Sequence, residues 1–128
     1  MAYPTGSGSE ILYRGTIHNQ STTTTAFRWD KTHPTTGTST YTVPALHIIT
    51  VLTIIITNVD TTTETFDLLA NDGANNIYIL QDEALPSAGT FIYSDKFCLV
   101  GGDKLTLYTA SAANIDVLYT YIDQNWED

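Results

Sequence analysis

Apolar, β-branched residues crowd both faces of one stretch of this chain, residues 45–59, which carries no charge and no glycine. Counted two by two, Leu46, Ile48, Leu52, Ile54 and Ile56 share one face, broken only by Thr50. Ile49, Val51 and Ile55 share the other, with His47, Thr53 and Thr57 between them. A strand packed on one side alternates apolar with polar, so this pattern predicts a strand with two covered sides. One side is the domain's own core. The other needs a second cover, from a neighbouring subunit or the N-terminal arm, and Ile49, Val51 and Ile55 are the residues expected at a subunit contact. A helix is disfavoured, because β-branched side chains lose rotamer freedom there and suit a pleated surface. A membrane-spanning helix needs about 20 mostly apolar residues, and this run stops at Asn58 and Asp60.

The same alternation elsewhere predicts short strands at 11–17, 26–29, 38–43, 64–70, 77–81, 90–94, 97–100, 104–109 and 115–122, separated by turns such as His33-Pro34, Asp72-Gly73 and Gly101-Gly102. The last of these is also apolar on both sides, with Ile115, Val117, Tyr119 and Tyr121 opposing Leu118 and Ile122. Turn signals at this spacing predict an all-β fold, an antiparallel β-sandwich of about eight strands. The expected division is an N-terminal arm with one or two short strands (1–37), a sandwich domain (38–123) and an acidic tail (124–128).

Charge narrows the possible partners. The net charge is −9, with only Arg14, Arg28, Lys31, Lys96 and Lys104 basic. No basic cluster exists to neutralise phosphates or anionic lipid, so neither a nucleic acid nor a membrane is expected as partner. The start of the chain lacks the basic end and apolar core of a secretory signal, which makes a cytoplasm the expected site of synthesis. The lone Cys98, between Phe97 and Leu99, is expected as a small core residue.

Four segments in order carry a resemblance: Tyr41-Thr42-Val43-Pro44-Ala45, Ile54-Ile55-Ile56-Thr57-Asn58, Gly102-Asp103-Lys104-Leu105-Thr106-Leu107 and Val117-Leu118-Tyr119-Thr120-Tyr121-Ile122. Together they resemble the small β-sandwich virion proteins of tailed bacteriophages, over about residues 40–122. The family usually places a glycine or polar turn after the first segment; Leu46 stands there in this chain. The resemblance implies a jelly-roll-like domain, often trimeric, serving as capsid decoration (cement) or as a tail, neck or fibre component. It brings no catalytic residues.

Local motifs for chemistry are missing. His18, His33 and His47 have no metal-ligand spacing, and the oxygen-rich 71–76 loop lacks the acid pattern of a calcium site. Asp82 and Glu83 are adjacent, so on a strand they point to opposite sides, unlike a glycosidase pair. No nucleophile elbow and no phosphate-cradling loop are present. The reading is therefore a non-enzymatic virion protein without cofactor, a homo-oligomer expected to be a trimer. It would sit on the outer capsid surface against the major capsid protein or another virion protein. Phe27, Trp29 and Trp126 are the expected anchors on the coat. The alternatives are a tail, neck, fibre or baseplate component that binds host carbohydrate, and a lectin-like or polysaccharide-degrading domain.

Overall fold

The computed structural model describes residues 9–29 and 41–126. The expected arm before Ser9, the His33-Pro34 turn, residues 38–40 and the last two acids lie outside the described residues. Within them the chain is all-β, with seven strands: β1 (Ser9–Ala26), β2 (His47–Asn58), β3 (Glu64–Asn71), β4 (Asn76–Leu85), β5 (Thr90–Tyr93), β6 (Phe97–Val100) and β7 (Lys104–Asn125). All pairings are antiparallel.

The sheet is curled into a β-sandwich by β7, which serves both layers. Its first part pairs with β3, from Asn71↔Lys104 to Phe66↔Thr109, and β3 pairs in turn with β4. Its last part lies between β1 and β2, where Tyr119 faces both Gly15 and Ile54. Beyond β2, β5 and β6 pair side by side along the other edge. The two strands expected at 104–109 and 115–122 are therefore one strand with a corner. A buried carboxylate fixes that corner. Glu64 accepts from the main-chain N–H of Ser111 at 3.0 Å and from its hydroxyl at 2.7 Å. The Thr109 hydroxyl donates to the Ser111 carbonyl at 2.8 Å.

Segment 9–26, expected as part of an arm, is an integral strand. It stays in unbroken register with β7 from Ser9↔Asn125 to Asn19↔Ile115, then shifts and rejoins at Thr24↔Tyr108. Residues 41–43 are not a strand, although Val43 exchanges main-chain bonds with the Gly102–Asp103 turn at 2.8 and 2.9 Å.

The long central strand carries a β-bulge that corrects the simple alternation. Val51 faces Tyr121 and Thr53 faces Thr120, so Leu52 is the extra residue. One extra residue swaps the two faces of the strand beyond it. Ile49 and Val51 thus join Ile54 and Ile56 in the core, at 0–1% exposure, while Ile55 faces outward and is half-buried. Two of the three residues expected at a subunit contact are interior residues of this chain.

Phe27 and Trp29 are also interior. After β1 the chain crosses the end of the sandwich, and both rings pack on β7. Phe27 meets Tyr119 edge-on at 4.9 Å, and Trp29 meets Tyr121 at 5.0 Å. Neither is available to a coat. Cys98 departs from expectation in the other direction: Leu99 takes the inward position on β6 and leaves the thiol exposed.

Three stability tests follow from this packing. A Cβ on Gly15 would overlap the Tyr119 ring, so Gly15→Ala should cost about 2 kcal/mol or more in denaturant unfolding. Leu46 holds φ at 62°, in the left-handed region, so Leu46→Gly should stabilise by about 1 kcal/mol in the same assay. Val51→Asp buries an unpaired charge and should cost about 4 kcal/mol, whereas Ile55→Asp should cost the isolated chain about 1 kcal/mol; equal costs would contradict the bulge.

Candidate assembly face

The layer formed by β1, the end of β7, β2 and the β5/β6 edge turns one side to the core. Its other side is met by no described part of the chain. Register defines what stands there. Thr16, Leu118, Ile55 and Ile92 form one row across four strands. Leu12, Ile122, Thr50 and Cys98 form a second, and Arg14, Thr120 and Thr53 lie between them. Ile48 and Val100 extend the apolar surface beyond Leu12. Leu12 is 64% exposed and Ile92 60%, the highest values among the large hydrophobic residues of the chain's described part.

Strand spacing of about 4.8 Å and rise of about 3.3 Å make this face roughly 15 Å by 27 Å, or on the order of 400 Å². Monomers rarely leave contiguous apolar patches of more than a few hundred Å² open, and those that do often use them. Threonines separate the apolar side chains. Their methyl groups add to the apolar surface, and their β-branching suits an open pleat.

One end of the face carries a charge pair. His18 on β1 and Asp116 on β7 are cross-strand neighbours, with Nδ1 2.6 Å from Oδ1. Both line a shallow depression of about 310 Å³ with Thr16, Ile17, Ile55, Thr57, Val117 and Leu118. At the opposite end Gln124 donates to the Glu10 carboxylate at 2.8 Å. The apolar rows are thus bounded by polar groups, the arrangement of a contact patch with a rim.

Of the residues expected at a subunit contact or as coat anchors, Ile55 alone lies on this face. Trp126 stands at the end of the sandwich, half-buried, its main-chain N–H donating to the Leu46 carbonyl at 3.0 Å. Among the described residues neither its indole N–H nor that of Trp29 has a partner. His47 is a buried, satisfied side chain, its Nδ1 2.8 Å from Asp123 Oδ1. Leu12, Leu118 and Ile92, which dominate the face, were not singled out as contacts. The two-sided pattern of residues 115–122 did place Leu118 and Ile122 on the side opposite the core-facing tyrosines. Nothing in the sequence signals the His18–Asp116 pair, whose members are 98 positions apart.

Among the described residues no three His, Cys, Asp or Glu side chains converge as a metal site would require, and no helix is long and apolar enough to cross a membrane. In the 71–76 loop Asp72 accepts main-chain bonds from Asn75 and Ala74, which hold its carboxyl below the usual carboxylate range.

No protein family and no curated protein matches the sequence. In structure the chain is similar to a subunit of Bacillus endospore appendages, described as a novel family of disulfide-linked pili, with a TM-score of 0.52 at 10% identity over 95% of this chain and 93% of that one. It is more distantly similar to a chain of the acid-stable capsid of Helicobacter pylori bacteriophage KHP30 (TM-score 0.44, 11% identity, 90% and 95% covered). The Eiger TNF of S. frugiperda gives a TM-score of 0.38 at 11% identity, with 91% and 94% covered. The first of these likenesses establishes a shared fold.

Proposed function

We propose that this chain is a non-enzymatic structural protein of a phage particle, a decoration protein that self-associates on the capsid exterior and stabilises the head. The observation that carries the reading is the unpartnered apolar face of the β1–β7–β2 layer. The core is filled by the chain's own residues, Phe27 and Trp29 included, so the exposed rows of Leu12 and Ile92 serve no internal packing. The fold supports the reading as well, since a pilus subunit builds an assembly from the same architecture.

Magnitudes favour several contacts over one. Taking roughly half of the 400 Å² face as apolar, and an equal apolar area on the neighbour that covers it, each contact contributes on the order of 10 kcal/mol. That is of the same order as the cost of immobilising two proteins. A ring of three copies docked on several coat subunits multiplies such contacts without requiring any one to be strong. Net acidity suits the outside of a shell, away from the genome.

A tail or fibre component that binds host glycan is the second reading. Its support is Tyr78, half-exposed next to the asparagine-rich 71–76 loop. Glycan-array binding by the purified chain would favour it over cement.

Light scattering of the purified chain should give a mass above one copy, about three by this reading. Ile55→Asp should reduce it to one copy, and the variant should fail to decorate particles seen by cryo-EM. An unchanged mass for the variant would remove this face from the assembly, and label confined to tails would remove the capsid.

A further inference from the structure

We infer that proton uptake by His18 strengthens the contact between copies across the outer face, an inference that rests on the assembly proposed above. His18 and Asp116 are 65% and 46% exposed in the isolated chain, and water shares the solvation of both. They line the same depression as Ile55 and Leu118. A second copy that fills the depression and covers those apolar groups must also strip water from the pair.

The two protonation states of His18 respond differently to that loss. An imidazolium against a carboxylate enters the contact with no net charge. A neutral imidazole leaves Asp116 as a carboxylate under an apolar cover with no compensating cation at hydrogen-bond distance, which is the costly case for a buried charge. Among the described residues, the polar groups that share a depression with His18 besides Asp116 are Thr16 on its own strand and Thr57 on β2, and, on its far side, Thr24, Thr25, Arg28 and Tyr41; Arg14 stands four residues along the same strand. Of these residue types, with Asp116 included, imidazole is the one that ordinarily changes charge between pH 5 and 8.

The sign follows from linkage. The assembled state favours the charged imidazole, so association takes up a proton at each contact. Association is therefore tighter at lower pH, by at most about tenfold per pH unit for one proton.

Sedimentation of the full chain at pH 5.5 and pH 8.0, at constant ionic strength, tests this. The apparent dissociation constant of the native sequence should rise about tenfold between the two. His18→Gln should flatten the dependence, and Asp116→Asn should remove the gain at low pH, with circular dichroism showing both variants folded. A native dissociation constant that does not change with pH, or an unchanged slope in His18→Gln, overturns the role of His18 and leaves the assembly standing. A chain that stays monomeric at both pH values and at high concentration overturns both.

Discussion

One tyrosine holds the three parts of this fold together. Tyr119 is buried in β7, opposite Gly15 on the first strand and Ile54 on the central one. The missing side chain at Gly15 lets the ring lie across β1. Its hydroxyl then reaches the segment that closes the end of the sandwich, accepting from the Arg28 N–H at 3.0 Å and donating to the Arg28 carbonyl at 2.7 Å. Phe27 and Trp29, on either side of Arg28, pack edge-on against the same ring. A buried polar tip with both roles satisfied, on a large apolar body, fixes geometry better than apolar packing alone. The strand pairing of β1 and the path of residues 27–29 depend on the same side chain.

That arrangement explains why Phe27 and Trp29 are interior residues and not anchors on a coat. Aromatics outside a regular strand do need burial, and the sequence supports that much. Whether the burial lies within the chain or on a partner depends on Gly15 meeting Tyr119, a pairing between positions more than a hundred residues apart. Periodicity carries no information at that range. The all-β class, the turns and the two-sided character of the last strand were legible because each depends on neighbours two to five residues away.

The central strand shows the other limit. Strict alternation keeps one assignment of faces along the whole strand, so with Ile54 and Ile56 inward it turns Ile49 and Val51 outward, and the bulge reverses that for the residues before it. The bulge at Leu52 leaves Ile49 and Val51 inside and turns Ile55 out. The conclusion that this strand has more apolar surface than one core can use survives the inversion. Its residue assignments do not, because a bulge is specified by the partner strand as well as by the strand that contains it. Leu46 shows a related limit: its left-handed backbone is the conformation glycine suits best, and an apolar residue at that position does not signal it.

Electrostatics adds a reason for copies to meet through this face. Each chain carries a net charge of −9, so identical subunits repel at most orientations. The face holds Arg14, one of only five basic residues, together with His18. Its two carboxylates are both engaged, Glu10 by the Gln124 amide and Asp116 by the imidazole. Like-charge repulsion is therefore low where apolar exposure is high. Away from this face, exposed acids such as Asp72, Asp82 and Asp95 oppose close approach. The charge pattern thus steers copies away from the other surfaces, and the apolar rows supply the attraction on this one.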